Sequence, residues 1–160
     1  MDYITIRGVK STKLRNFFRQ FIIYSLDQVY ASRPDLDIMI EMSTDLYEKT
    51  RYYGLCEPIE WGQRPREFLI ECDISRSFKQ VLKTLAHEIT HIKQLAKSEL
   101  YDYQTSHLIR WKNRKVDQDA YTRYRNIPWE KEAYRMEKIL YDKFCSQYET
   151  KEFKDIHNSL

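Results

Sequence analysis

Two histidines four residues apart, with a glutamate directly after the first, form the densest chemical pattern in the chain: His87-Glu88-Ile89-Thr90-His91. On a helix, imidazoles at i and i+4 share one face and can grip a single zinc ion, while the acid between them reaches a water on that metal. The chemistry implied is hydrolysis by an activated water, with Glu88 as its base. At about 100° per residue, Phe78, Val81, Leu82, Leu85, Ile89, Ile92 and Ala96 gather on one side of the helix and the two histidines fall on the other. A helix that only packs would turn that second side to water and has no use for paired imidazoles there.

A catalytic zinc takes three protein ligands and leaves one position open. His107 lies sixteen residues past His91 (107 − 91), and Pro128-Trp129-Glu130-Lys131-Glu132-Ala133 offers two acids. On a helical wheel centred on Glu132, the residues Trp129, Met136, Ile139 and Leu140 fall within about 80°, whereas Glu130 points the opposite way, beside Glu137 and Tyr141. Glu132 is therefore the expected inward acid. A buried carboxylate is costly without a positive partner, and zinc or an Arg or Lys would meet that need. His107 is the alternative ligand. Tyr121, Arg123, Tyr124 and Tyr134 stand near the ligand helix as candidates to stabilise an oxyanion, and the sequence does not choose among them. Cys56, Cys72 and Cys145 are odd in number and far apart, which excludes a CxxC metal knuckle and gives no disulfide framework.

These residues need elements to position them, and 160 residues is the size of one domain, read here as spanning residues 1–160. With 13 Tyr, 7 Phe and 3 Trp against only 3 Gly and 4 Pro, the chain has too many core-forming rings for a disordered tail. The formal charge of +3 is too small to require nucleic acid or an anionic membrane as partner. The basic and aromatic stretch 110–125 is where nucleic acid could bind locally, although Asp117 and Asp119 interrupt it. No run of about eighteen apolar residues occurs and the start lacks the apolar core of a signal peptide, so the expectation is a monomer that is neither membrane-spanning nor secreted, in the reducing cytoplasm.

Leu14, Phe17, Phe18, Phe21, Ile22, Leu26, Val29 and Tyr30 recur at helical spacing, predicting a first helix that ends near Ser32, before Pro34. The runs 36–42 and 68–74 read as strands, and the aromatic stretch 52–62 as a further irregular strand or a loop. Ser77 with Gln80 matches a capping box and opens a helix reaching to about Leu100. Residues 107–111 and 114–116 suggest a hairpin about Lys112-Asn113, and Pro128 opens a last helix running through Phe144. The sum is an α+β fold in which a small mixed sheet packs against three main helices, with the HExxH on the central one.

The stretch Leu85 to Gln94, the downstream Trp111-Lys112 and the segment Pro128 to Ala133 together resemble small SprT-like zinc metallopeptidases of the kind carried by bacteriophages. The resemblance covers the C-terminal half well, Tyr53-Gly54 and the strand 68–74 more loosely, and the first fifty residues hardly at all. Many SprT-like proteins complete the site with a third His, whereas the Glu-Ala pair here is similar to gluzincins, which places the third ligand on Glu132. The resemblance implies a zincin-like fold, one zinc ion, peptide-bond hydrolysis with Glu88 as base, and a protein or peptide substrate lying along the strand 68–74, in the cytoplasm of a host cell if phage-encoded. It also leaves two alternatives: action at DNA through 110–125, or a latent or inactive zinc-binding protein.

Overall fold

The computed structural model describes residues 3–104, 107–148 and 154–156. The elements run β1 (Tyr3–Arg7), α1 (Thr12–Val29), β2 (Asp37–Ser43), α2 (Leu46–Thr50), β3 (Gly54–Pro58), β4 (Glu67–Asp73), α3 (Phe78–Ala96), β5 (Leu100–Asp102), β6 (Leu108–Trp111), β7 (Arg114–Asp117) and α4 (Pro128–Gln147), with short 3₁₀ turns at 118–120 and 124–126. The fold is mixed α+β with two sheets. In the larger, the order is β1-β2-β4-β3; β1, β2 and β4 are parallel, and β3 runs antiparallel along β4.

Alternation sets the buried face of this sheet. Ile38, Ile40 and Met42 on β2 stand beside Phe68, Ile70 and Cys72 on β4, all six buried, and Ile6 of β1 joins them beside Ile40. Helices α1 and α3 cover that face. Helix α1 contributes Phe17, Phe18, Phe21, Ile22 and Leu26 to the core, and α3 contributes Phe78, Val81, Leu82, Leu85, Ile89 and Ile92. Helix α4 brings Leu140 and Phe144 into the same core, with Phe144 edge-on to Phe21 at 4.9 Å between ring centres.

Both long N-terminal helices start where their caps dictate. Ser11 accepts from the Leu14 amide at 3.2 Å, and Ser77 and Gln80 exchange the two bonds of a capping box. Helix α1 ends at Val29 and α3 at Ala96, a few residues before the sequence-based ends, because Tyr30 is already extended and the chain reverses at Ser98 with φ 59°. The hairpin between β6 and β7 turns on Lys112 and Asn113, both at positive φ (46° and 67°), the pairing that a two-residue turn requires. Strand β5 extends this hairpin to three strands.

One expectation fails on topology. The strand 68–74 cannot take up an extended peptide, because β4 is paired along both edges, with β2 on one side and β3 on the other. The edge strands of this sheet are β1 and β3, and β3, the one that lines the cleft through Gly54, lies in the stretch where the sequence allowed an irregular strand or a loop. Strand β1 and helix α2 are further elements that the sequence reading lacks. No helix among the described residues is long and apolar enough to cross a membrane.

Candidate metal centre

His87, Glu88 and His91 lie in the C-terminal half of α3, on the side turned to α4. Their surroundings are protected: His87 and Glu88 are buried and His91 nearly so. The residue that meets the histidines is Glu130, in the first turn of α4, not Glu132. Its Oε2 lies 3.1 Å from His87 Nε2 and its Oε1 3.4 Å from His91 Nε2. Tyr124 donates its hydroxyl to Glu130 Oε1 at 2.7 Å.

The other ring nitrogens are held as well. His87 Nδ1 lies 3.1 Å from Glu137 Oε2, one face of the ring is flanked by Tyr134, and His91 Nδ1 lies 2.8 Å from Gln94 Oε1. The Gln94 amide has only one workable orientation, since its Nε2 donates to the Trp129 carbonyl at 3.0 Å and to Glu132 Oε2 at 2.8 Å. Its oxygen must then accept, so His91 Nδ1 carries the proton. Glu137 imposes the same tautomer on His87. Each neutral ring thus aims the Nε2 lone pair at the Glu130 carboxylate.

A lone pair about 3 Å from a carboxylate oxygen needs positive charge on or between the two groups, either a proton or a metal ion. Burial disfavours a charged His87, but the Glu130 and Glu137 carboxylates outweigh it and push its pKa up to about 10. His91 is also shifted up, against burial, mainly by Glu130. Burial would raise Glu130, yet the two imidazoles and Tyr124 hold its carboxyl far below the usual range. The donor set of two imidazoles and one carboxylate, with ligand atoms within 4.8 Å of one another, could hold a metal ion.

Glu88 is buried on the β3 side of the histidines, and burial raises its pKa, partly offset by His91 and His87. The close neighbour on the sheet is Gly54, where a Cβ would stand 2.5 Å from Glu88 Oε1 and 2.6 Å from Thr84 Cγ2. The strand therefore passes Glu88 at a distance that only glycine allows. A cleft of about 820 Å³ opens here, with Gly54, His87, Glu88, His91, Tyr124, Glu130 and Tyr134 on its walls.

Glu132 sits one step outside. It accepts from Gln94 and pairs with Lys93 at 3.3 Å and Lys112 at 3.1 Å, so the positive partner expected for this acid is a pair of lysines. The wheel misplaced the acids because it took the apolar residues of α4 to mark the inward side. The buried stripe is Trp129, Glu130, Ala133, Leu140 and Phe144, and Glu130 and Glu137 lie on or beside it, two turns apart. Acids seven residues apart, in phase with Ala133 and Leu140, were the available signal. His107 is exposed and groups with Asp117 and Asp119 instead of the helix pair.

Of the oxyanion candidates, Tyr124 and Tyr134 line the cleft, while Tyr121 and Arg123 are exposed and outside its lining. In the basic stretch 110–125, Arg110 donates to Ser98 Oγ at 2.6 Å and Lys112 is paired with Glu132, so two of its cations face the protein's own groups. No family model, curated protein or solved structure matches the chain, and the functional reading rests on this geometry.

Proposed function

We propose that the protein is a zincin-like zinc metallopeptidase in which His87, His91 and Glu130 hold one zinc ion and Glu88 is the general base. The observation that carries this reading is the convergence of two tautomer-fixed imidazole Nε2 atoms on one buried carboxylate, with a second buried carboxylate beside them at the mouth of a cleft. The resemblance to SprT-like peptidases supports it, with the third-ligand role moved from Glu132 to Glu130. Among the described residues the metal-ligating group has three members and no cysteine, the count of a catalytic site with one open position and not of a closed structural one.

Zinc bound there would polarise a peptide carbonyl and make a water acidic enough to ionise near neutral pH. The protein's own groups do the rest. Glu137 and Gln94 keep the Nε2 lone pairs forward, and Glu130 supplies the negative charge that favours a dication over protons. The Glu88 carboxylate accepts a proton from the attacking water and delivers it to the leaving amine. An extended peptide adds to the open edge of β3, whose backbone passes Glu88 at Gly54. Tyr124 and Tyr134 stand on the cleft wall where a hydroxyl can meet the developing oxyanion.

The test is metal content with proteolysis. Zinc measured by mass spectrometry should be stoichiometric in wild type and in Glu88→Gln, and lost in Glu130→Ala at unchanged fold. Casein cleavage should be abolished by Glu88→Gln. Full zinc in Glu130→Ala, or wild-type cleavage by Glu88→Gln, would overturn the assignment.

A further inference from the structure

Another part of the cleft wall is built differently. Tyr47 and Tyr53 stack nearly parallel, with ring centres 4.2 Å apart at 11°. Arg76 lies over the Tyr53 ring at 3.9 Å and Arg51 near the Tyr47 ring at 5.9 Å, so two guanidiniums flank a pair of stacked rings. All four residues line the same cleft as His87, Glu88 and Glu130. Among the described residues no carboxylate pairs with either guanidinium within 4.0 Å, although Asp73 is close enough for Arg76 to act on its charge.

The arrangement is fixed from behind. Asp73 is buried at the end of β4; its Oδ2 accepts from the Tyr47 amide at 2.9 Å and its Oδ1 from the Ser75 amide at 2.8 Å. One carboxylate thereby ties α2, which carries Tyr47, to the turn that carries Arg76. Arg51 is set at the end of α2 by a left-handed φ of 66° and a bond from its amide to the Tyr47 carbonyl. A guanidinium stacked on a ring keeps its N–H edges free, and the two N–H groups along one edge match a carboxylate.

We infer that Arg76, held on the Tyr53 ring, forms a subsite for a carboxylate of the peptide substrate, with Arg51 beyond Tyr47 adding positive charge along the same cleft. The inference rests on the peptidase reading for its substrate but not on zinc for its binding. Two sources supply that group: an acidic side chain near the scissile bond, or the C-terminus of a short peptide. The other cations on the cleft wall are already engaged, Lys83 with Glu137 at 3.7 Å and Arg125 by a hydrogen bond with the Tyr134 side chain.

The experiment uses zinc-loaded Glu88→Gln protein, full length, with fluorescein-labelled alanine octapeptides. One series carries a single Glu, Gln or Lys at successive positions with an amidated end; the other compares the free acid with the amide. Anisotropy should show Glu binding about tenfold tighter than Gln at one or two positions, or acid over amide, the winning series naming the source. The preference should vanish in Arg51→Ala/Arg76→Ala and be reduced in the double Lys variant, which keeps charge but not the fork. It should persist in His87→Ala, so that failure of the zinc assignment is read separately. No preference, whether through equal binding or none, overturns the inference, as does a preference that survives removal of both arginines in a protein of unchanged melting temperature.

Discussion

Gly54→Ala isolates the placement of Glu88 from everything else in the site. The added Cβ would stand 2.5 Å from Glu88 Oε1, where ordinary contact begins near 3.4 Å, so the carboxylate must retreat by about 0.9 Å (3.4 − 2.5) or the strand must move off the helix. The backbone of Gly54 is not in the left-handed region, so alanine brings no conformational strain of its own. A displacement of about 1 Å in a reacting group costs on the order of a hundredfold in rate. Overpacking beside Thr84 should cost about 1–3 kcal/mol of stability. None of the three metal ligands is touched. The expected result is therefore a kcat on fluorogenic casein down by about two orders of magnitude, with zinc content unchanged and a melting temperature lowered by several degrees. Gly62→Ala, whose Cβ would meet nothing within 4 Å, is the control and should behave as wild type. If Gly54→Ala keeps a third or more of wild-type kcat, either Glu88 is not the base or the strand does not wedge it.

Glu132→Ala should weaken zinc binding by up to about tenfold without abolishing it, because it removes one of the two acceptors that orient Gln94 and so loosens the His91 tautomer, as competition with a chelating dye will measure. Glu137→Gln should do the same through His87, and a wild-type zinc affinity in both variants would refute the outer-shell role. Tyr124→Phe keeps the ring but removes the bond to Glu130, so zinc should be retained; if Tyr124 meets the oxyanion, kcat should fall at nearly constant KM. Asp73 is held below the usual carboxylate range, since the bonds from Ser75 and Tyr47 outweigh burial. Its stabilising contribution is complete above the ordinary pKa of about 4 and is lost as pH falls through the lower folded value. Asp73→Asn should therefore flatten the acid limb of the stability profile below about pH 4.

The helix that carries the HExxH was legible in the sequence because three independent signals agree on it: the capping box at Ser77, the apolar stripe from Phe78 to Ala96, and the imidazole pair on the other face. The acid that meets the imidazoles was not, because α4 hides its acids among buried residues, and a wheel that equates inward with apolar sends Glu130 to solvent. Glu132 misled for a physical reason: it is also largely buried, but its charge is balanced by Lys93 and Lys112, which lie 39 and 20 positions away in sequence. Gly54 entered only as part of the loose resemblance at Tyr53-Gly54, since its need arises from a side chain on another element. Strand β3 was half legible, as an aromatic run without clean alternation, and its place at the sheet edge comes from pairing that no local pattern encodes.

The three proposed ligands lie on two helices, and 38 residues of chain (92–129) lie between His91 and Glu130, including the whole second sheet. A metal ion joining them closes that stretch into a loop and acts as a reversible cross-link, lowering the entropy of the unfolded chain much as a disulfide would. Loading the ion would then pin the start of α4 to α3, so chelation should loosen the hairpin and the first turns of α4 together, while Leu140 and Phe144 keep the far end of that helix in the main core.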